Sequence, residues 1–310
     1  MGIESEWIWM DDKLVPYEQA TIHFNSTALH YGLAVFEGIR SYNTANGPAI
    51  FRAREHAKRL LDSAKVLGFR PLPWMVEDLV HAFTEVVRAN QFNECYIRPV
   101  IYLAEGGWNL CVDNGRLALA ISAWEWKNYL GQEAMERGIR ANISTFTRHH
   151  PNVMMTKAKI SGNYANSALA KTESVRLGFD EAIMLDPQGY LAECTGENIF
   201  LVYKGKVLTT PTAAVLEGIT RDALLILMND LGYEVVDQMI SRDQLYIADE
   251  VFVCGTAAEV IALREIDYRT IGEGKMGPVT CSIQQAYHSA VHGEHLRSSE
   301  WLEYVNPPVA

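Results

Sequence analysis

The stretch CYIRPVIYLAEGGWNLCVDNGRLALAISAW, residues 95–124, decides the fold class of the first part of the chain. Its two ends, 95–103 and 117–124, are rich in β-branched, aromatic and other apolar residues and predict two strands. Upstream, apolar residues recur at helical spacing in 54–67 and 75–90, which predicts two amphipathic helices. Strands beside helices that pack on one side are typical of an α+β unit.

The remainder of the chain predicts a second unit in which strands and helices follow one another. The strands are expected at 139–146, 181–185, 199–203, 234–240 and 250–254, and the helices at 163–177, 221–231 and 279–291. At the start of the chain, 7–10 and 13–17 predict a hairpin around Asp11 and Asp12, and a turn-rich segment is expected from there up to Phe51.

The domain organisation follows from these elements. A length of 310 residues is compatible with two domains of about 150 residues each. The polar, glycine-containing run 127–132 predicts a linker between them. We therefore predict a small N-terminal domain at 1–126, an interdomain loop at 127–135 and a large C-terminal domain at 136–310.

Charge and hydrophobicity argue against several classes of protein. The chain has 27 Lys and Arg against 38 Asp and Glu, so its net charge of −11 repels nucleic-acid phosphates and anionic lipids. No apolar run approaches the roughly 18 residues that span a bilayer, and the N-terminal residues lack the pattern of a secretion signal. We expect a cytoplasmic protein that binds neither nucleic acid nor membrane.

The cysteines and histidines predict neither disulfide bonds nor a metal site. The five cysteines are scattered and form no CxxC pair. His288, His292 and His295 have helical spacing, but Gly293 interrupts that helix and no second histidine pair supports a metal.

Two turns have the composition of anion-binding sites. Gly218, Ile219 and Thr220 open an apolar helix, whose first N–H groups and positive dipole end attract anions. The turn 255–258, GTAA, follows a strand, and its small residues allow a ligand to approach the backbone. The alternatives are an ordinary helix capped by Thr220 and an ordinary strand-ending turn, and both stay open at this point.

Two glutamates and two lysines are further candidates. Glu193 and Glu197 bracket the turn that leads into an apolar strand, where a buried carboxylate needs a positive partner. The alternative is that both are surface turn glutamates. Lys157 and Lys159 lie in a loop before a helix, and a desolvated lysine amine is a nucleophile toward carbonyl groups. Nothing in the residues themselves distinguishes either lysine from a solvated one.

Seven ordered motifs make the chain resemble a known family. They are ALHYGLAVFEGIR (28–40), REHAKRL (54–60), YIRP (96–99), KISGNY (159–164), YLAECTGENIF (190–200), LEGITRD (216–222) and ADEVFVCGTAAEV (248–260). With them the chain closely resembles the branched-chain amino acid aminotransferases, pyridoxal phosphate enzymes of fold type IV. The resemblance covers nearly the whole chain. It implies an α+β and α/β two-domain fold, with a small N-terminal α+β domain and a larger C-terminal domain that has a pseudo-barrel sheet and helices.

The resemblance implies a cofactor, pyridoxal 5'-phosphate, and the residues that hold it. Lys159 would bond it covalently, because it stands five residues before Tyr164 as the family motif requires. The family more often carries a small residue at the position of Lys157. Glu193 would pair with the pyridine nitrogen, which then acts as part of an electron sink. Further contacts would come from Arg59, Ile219, Thr220 and Thr256 at the phosphate, Tyr164 at the phenolic oxygen and Leu216 on the ring face.

The resemblance also implies how amino acids bind. The backbone N–H groups of Thr256 and Ala257, together with the hydroxyl of Tyr96, would hold the α-carboxylate. Arg98 would bind the second carboxylate of glutamate, which would otherwise be unpaired in an apolar pocket. The pocket residues would be Phe36, Trp126, Tyr129 and Tyr164 from the same subunit, with Tyr31 and Leu110 from a second subunit.

The implied activity is ping-pong transamination between branched-chain L-amino acids and 2-oxoglutarate, in a homodimer or a larger oligomer such as a hexamer. Related fold type IV enzymes are the alternatives: D-amino acid and (R)-amine aminotransferases and aminodeoxychorismate lyase. The YIRP and FEGIR segments favour the branched-chain type. The alternative from another class is a non-catalytic protein that binds a phosphate ligand.

Overall fold

A computed structural model describes residues 5–105, 110–125 and 132–306. In chain order its strands are β1 (Trp7–Met10), β2 (Lys13–Pro16), β3 (Ala34–Phe36), β4 (Ile39–Thr44), β5 (Gly47–Phe51), β6 (Cys95–Glu105), β7 (Arg116–Trp124), β8 (Ile139–Ile143), β9 (Glu181–Leu185), β10 (Leu191–Cys194), β11 (Asn198–Tyr203), β12 (Lys206–Thr209), β13 (Val235–Asp237), β14 (Glu250–Gly255), β15 (Glu259–Ile266), β16 (Arg269–Thr270) and β17 (Leu302–Tyr304).

The helices lie between these strands. They are α1 (Thr27–Tyr31), α2 (Ala53–Val66), α3 (Val76–Ala89), α4 (Gln132–Arg137), α5 (Tyr164–Arg176), α6 (Ile219–Asp230), α7 (Arg242–Tyr246), α8 (Pro278–Val291) and α9 (Ser298–Trp301). Among the described residues, no helix is long and apolar enough to cross a membrane.

The described residues pack into two compact units, and the chain passes between these units more than once. The first unit contains the described residues of 5–125, then 158–163, then those from 289 onward. The second unit contains 132–157 and 164–288. The domain boundaries predicted from the sequence, with an interdomain loop at 127–135, stay a prediction. Residues 127–131 of that loop lie outside the described ranges.

The first unit is built around a sheet with the order β17-β5-β4-β6-β7-β1-β2, in which β3 also pairs with β6. The hairpin of β1 and β2 turns at Asp11 and Asp12, whose positive φ angles of 47° and 63° suit a tight two-residue turn. The apolar faces of α2 and α3 bury Leu60, Leu79 and Phe83 in one core with residues of β6.

The second unit has a mixed sheet with the order β10-β9-β8-β15-β14-β11-β12-β13, and β16 pairs with β15. Strands β11, β14 and β15 are antiparallel neighbours, while β8 runs parallel to both β9 and β15. The alternate residues Ile199 and Leu201 of β11 and Val251 and Val253 of β14 are fully buried in one core.

Most predicted elements are confirmed within one to three residues, but the turn-rich segment before Phe51 was wrong. It contains β3, β4 and β5, which pair with β6, with each other or with β17. The strands are short and separated by glycine and asparagine, so the local pattern indicates turns. Pairing with the distant strands β6 and β17 stabilises them as strands. The strand predicted at 139–146 ends at Ile143, and the one predicted at 234–240 is limited to Val235–Asp237.

Candidate active site

One face of α2, in the first unit, carries three polar residues. His56, Arg59 and Ser63 are separated by three and then four residues, so they share a face of the helix. Arg59 donates from Nε and Nη2 to the two carboxylate oxygens of Glu37, at 2.6 and 2.8 Å. His56 Nδ1 lies 2.8 Å from Glu37 Oε2, and both of these side chains are fully buried. The guanidinium predicted to bind phosphate therefore has a fixed carboxylate partner.

The charges of this group determine its protonation. Burial alone would raise the pKa of Glu37, but the charge of Arg59 and the hydrogen bonds from Arg59 and His56 hold that pKa well below its usual range. Burial lowers the pKa of His56, and the bond to Glu37 offsets only part of this effect. Since an ionised carboxylate only accepts hydrogen bonds, the neutral His56 carries its proton on Nδ1.

Lys159 belongs to the first unit and is held through its backbone. Its N–H donates to Ser63 Oγ at 3.0 Å, and its carbonyl oxygen accepts from the N–H of Phe36 at 3.0 Å. Its amine nitrogen lies 5.0 Å from the centroid of the Phe36 ring. The half-buried side chain therefore begins at a fixed point beside an aromatic ring.

Arg98 lies among aromatic rings of the same unit. Its guanidinium carbon is 4.8 Å from the ring centroid of Phe36, 5.3 Å from that of Tyr96 and 5.9 Å from that of Trp124. Its Nη2 donates to the Tyr96 hydroxyl at 3.1 Å, whereas its buried Nε has no partner among the described residues. A Cβ at Gly38 would fall 1.9 Å from the Tyr96 hydroxyl oxygen, so this approach requires glycine.

Glu193, in the second unit, pairs with Arg148. The distance from its Oε1 to Arg148 Nη2 is 2.7 Å, and each side chain is only 8% exposed. Its Oε2 accepts from Asn198 Nδ2 and from the N–H of Leu216, both at 3.3 Å. A buried carboxylate at this position requires a positive partner, but the sequence does not identify Arg148, because the two residues meet only in the fold.

The predicted anion turn at the start of α6 has the expected helix geometry. Gly218 is the N-cap, so the alternative with Thr220 as the cap is wrong. A Cβ at Gly218 would lie 2.0 Å from Asn198 Oδ1, and the same asparagine donates to the carbonyl of Leu216 at 3.0 Å. Ile219 and Thr220 are the first helical residues, whose N–H groups have no acceptor within the helix.

The interpretation of Glu193 and Glu197 as surface glutamates was wrong, because both are buried. Glu197 Oε2 accepts from the N–H of Gly196 at 3.1 Å. Burial and the nearby carboxylate of Glu181 raise the pKa of Glu197 to about 8. Glu181 itself is paired with Lys171. The second unit thus holds a buried acid that is mostly protonated at neutral pH.

Other predicted residues of the second unit lie at element ends. Thr256 and Ala257 are half-buried in the turn between β14 and β15, and Tyr164 is the first residue of α5. Trp126 and Tyr129 lie outside the described residues. Predicted roles that join residues of the two units stay predictions.

Three predicted or singled-out residues are exposed. Tyr31, at the end of α1, is 42% exposed and Leu110 is 73% exposed. The Lys157 amine pairs with Glu217 Oε1 at 2.7 Å and donates to the carbonyl of Thr212. Lys157 is thereby bound to the loop before α6, whereas Lys159 lies against Phe36.

Each unit, taken by itself, carries groups that suit a part of a phosphorylated pyridine cofactor. The first unit offers a lysine amine and an oriented guanidinium, and the second offers a helix N-terminus and a buried carboxylate braced by an arginine. The buried, unpartnered Nε of Arg98 suits a further carboxylate. In the described ranges, no group of three or more His, Cys, Asp or Glu residues could hold a metal ion.

Comparison with known proteins gives matches over nearly the whole chain. A family model described as amino-transferase class IV matches residues 34–266. The branched-chain-amino-acid aminotransferase of Pseudomonas aeruginosa is 45% identical over 298 residues, which cover 96% of this chain and 97% of that protein. A crystal structure of the T.th. branched-chain amino acid aminotransferase with pyridoxamine 5'-phosphate is 48% identical, has a TM-score of 0.93 and covers 98% of this chain and 100% of that one. The same enzyme complexed with N-(5'-phosphopyridoxyl)-L-glutamate is 47% identical at a TM-score of 0.92, with the same coverage.

Proposed function

This chain belongs to the class IV aminotransferase family, and we propose that it transfers amino groups between branched-chain L-amino acids (leucine, isoleucine and valine) and 2-oxoglutarate with pyridoxal 5'-phosphate. The names of its relatives support this substrate class, and their bound pyridoxamine phosphate and phosphopyridoxyl-glutamate support the cofactor. One observation carries the proposal. The amine of Lys159 and the guanidinium of Arg98 lie 5.0 and 4.8 Å from the same Phe36 ring, which combines a nucleophile, an apolar surface and a cation for a carboxylate.

Each group of the proposed cofactor has a counterpart among the residues. Arg59, the N–H groups of Ile219 and Thr220, and Thr256 would hold the phosphate. Lys159 would form the covalent bond, Tyr164 would donate to the phenolic oxygen, and Leu216 would cover the ring face. When bound, the cofactor supplies an electron sink that makes the hydrogen on the substrate's Cα acidic.

Lys159 moves the proton in the proposed ping-pong reaction. Its free amine would take the proton from the substrate's Cα as general base and would deliver it to the C4′ carbon of the cofactor as general acid. The backbone bonds to Ser63 and Phe36 keep the start of its side chain fixed while the amine changes partners. Water would then supply the keto oxygen of the 2-oxo acid that leaves, while the amino group would stay with the cofactor. A second 2-oxo acid would take up that amino group by the reverse path.

Glu193 keeps a proton on the pyridine nitrogen by offering a carboxylate to it. Arg148 compensates the charge of this buried carboxylate, and Asn198 and the backbone of Leu216 fix its second oxygen. Without Arg148 the carboxylate would be a buried charge with one fewer partner, which is costly. We therefore add Arg148 to the proposed site as a positioning residue.

Substrate recognition divides between polar and apolar groups. Tyr96 and the N–H groups of Thr256 and Ala257 would bind the α-carboxylate. Arg98 would bind the second carboxylate of glutamate or 2-oxoglutarate. Branched-chain side chains would instead contact Phe36 and Tyr164, together with Trp126 and Tyr129.

We also propose a homodimer or a larger homo-oligomer. Five large apolar side chains of the first unit are exposed and support it: Ile22, Phe24, Leu29, Tyr31 and Leu110. Burial of such side chains against a second subunit would remove apolar surface from water. Tyr31 and Leu110 would complete the pocket of the neighbouring subunit. A cytoplasmic location is part of this proposal.

A test of the activity uses purified protein, pyridoxal 5'-phosphate and 2-oxoglutarate, with glutamate formation as the readout. L-leucine, L-isoleucine and L-valine should support turnover at the highest rates. D-leucine and (R)-1-phenylethylamine are the matched comparisons for the two related aminotransferase types. Faster turnover with either of these, or none with any donor, would contradict the proposal.

A further inference from the structure

We propose that Glu37 and His56 are positioning residues that fix the guanidinium of Arg59 in the orientation needed to bind the cofactor's phosphate. This inference rests on the proposed function, because it takes the partner of Arg59 to be that phosphate. It assigns a role to two buried polar groups that the mechanism above does not use.

The geometry leaves the Glu37 carboxylate little freedom. Its two oxygens receive three donors: Nε and Nη2 of Arg59 and Nδ1 of His56, at 2.6, 2.8 and 2.8 Å. Its backbone N–H donates to the carbonyl of Pro99 on β6 at 3.0 Å. A two-point fork to a fixed carboxylate defines the plane and direction of a guanidinium. Arg59 is thereby aimed by β6 as well as by its own helix.

Glu37 has two opposing effects on an anion near Arg59. Its negative charge partly compensates Arg59, which weakens the attraction to phosphate. Its fork removes the rotational freedom of the long arginine side chain, which strengthens binding by preorganisation. We infer that the second effect is larger. An amide at position 37 would accept from only one of the two arginine N–H groups and would turn its own NH₂ toward the other, so Glu37→Gln would lose the fork that orients Arg59.

His56 contributes as the third donor. As a neutral side chain with the proton on Nδ1, it binds Glu37 without adding a charge that would compete with Arg59. It also prevents the carboxylate from rotating about its last bond. Asparagine places an amide nitrogen near the position of Nδ1, whereas leucine fills similar space with no donor, so the two substitutions separate hydrogen bonding from packing.

The test compares two ligands that differ only by the phosphate. Apoprotein is titrated with pyridoxal 5'-phosphate and with pyridoxal, and binding is followed by absorption and by protein fluorescence. Glu37→Gln should weaken pyridoxal 5'-phosphate on the order of 10- to 100-fold and leave pyridoxal affinity unchanged. The matched control is Glu77→Gln. Glu77 is an exposed carboxylate on α3, and its partner is Arg54, which lies on α2 as Arg59 does. Glu77→Gln should change neither affinity.

The results distinguish this inference from the proposed function. If the parent protein binds neither ligand, the proposed function fails. If the parent binds both but Glu37→Gln loses both equally, loses neither, or binds the phosphate form more tightly, the inference is overturned. Should Glu37→Gln not fold, the two His56 variants provide the test. His56→Leu should lower the preference for pyridoxal 5'-phosphate over pyridoxal several-fold. His56→Asn should restore the preference of the parent protein. Equal preferences in the two His56 variants would also overturn the inference.

Discussion

Two buried glutamates, Glu37 in the first unit and Glu197 in the second, lie in opposite charge environments. Burial favours the neutral form of both. In Glu37, the charge of Arg59 and the hydrogen bonds of Arg59 and His56 outweigh burial and keep the pKa well below its usual range. In Glu197, the carboxylate of Glu181 adds to burial, and the pKa rises to about 8. Burial alone therefore does not decide whether a carboxyl group is ionised, because its partners oppose burial in Glu37 and reinforce it in Glu197.

The same contrast extends to the site residues around them. The first unit contributes cations and an amine, and its one buried carboxylate in this group serves to orient Arg59. The second unit contributes Glu193, whose charge is compensated by Arg148, beside a protonated acid. Anionic groups of cofactor and substrate suit the first set, and a protonated ring nitrogen suits the second.

Replacing each of the two lysines should give the largest difference in turnover between the units. Lys159 belongs to the first unit and Lys157 to the second. Lys159→Ala should abolish turnover, because it removes the amine that lies beside Phe36. Lys157→Ala should keep most activity, since its exposed pair with Glu217 is worth at most about 1 kcal/mol. The measurement is the rate of glutamate formation from L-leucine and 2-oxoglutarate. The reverse pattern would show that the nucleophile was assigned to the wrong unit.

Glu193→Gln should have the next largest effect. An amide still hydrogen-bonds but does not stabilise a positive ring, so loss of the Cα proton should slow on the order of 100-fold while cofactor affinity changes much less. Single-turnover rates with Cα-deuterated and ordinary L-leucine measure this step. Glu217→Gln, in the loop before α6, is the control and should match the parent. Equal rates for Glu193→Gln and parent would remove Glu193 from its role.

Arg98→Leu should separate the two substrate classes. Loss of one partner of a partly buried charge pair costs about 2 to 5 kcal/mol, so kcat/KM for glutamate should fall by on the order of 30-fold or more. L-leucine should lose less, although some loss is expected because Arg98 also bonds Tyr96. The measurement is the ratio of kcat/KM for the two half-reactions. An unchanged ratio would show that a residue other than Arg98 binds the second carboxylate.

Glu197→Gln should have the smallest effect on turnover, and it acts instead on stability. Between its usual value of 4.5 and about 8, Glu197 is ionised in the unfolded chain and protonated in the folded one, so wild-type stability falls as pH rises through this window. The variant has no carboxyl group to ionise at this position. Its free energy of unfolding should therefore rise relative to that of the parent as pH increases, by at most about 1.4 kcal/mol per pH unit. Urea unfolding from pH 5 to 8 measures it.

Glu37→Gln should show the opposite sign in the same experiment. The stability contributed by Glu37 is present above the usual value of 4.5 and is lost as pH falls below it, so this variant should be less stable than the parent at neutral pH. If both variants shift stability in the same direction at pH 7, the contrast between the two carboxyl groups is wrong.

Local patterns in the sequence predicted the elements whose signal is local. The apolar spacing of 54–67 and 75–90 identified α2 and α3, and the Asp11-Asp12 hairpin was also correct. Strands β3 to β5 were missed because β3 and β4 also pair with the distant β6, and β5 pairs with the distant β17. Local composition carries no information about such partners.

The same limit applies to the candidate site. The motifs identify Lys159, Glu193 and the turn before α6 only together, through the family resemblance. The residues that brace them were not found: Arg148 meets Glu193, and Glu37 and His56 meet Arg59, only after folding. A buried carboxylate predicts that some cation is present, but the sequence does not name it.

The most direct test of the central claim is to trap the cofactor on the chain. The protein is loaded with pyridoxal 5'-phosphate, reduced with sodium borohydride, digested and analysed by mass spectrometry. We predict that the phosphopyridoxyl group is found on Lys159 and not on Lys157, and that adding L-leucine before reduction greatly lowers its yield. Labelling of Lys157, or no label on Lys159, would contradict the account.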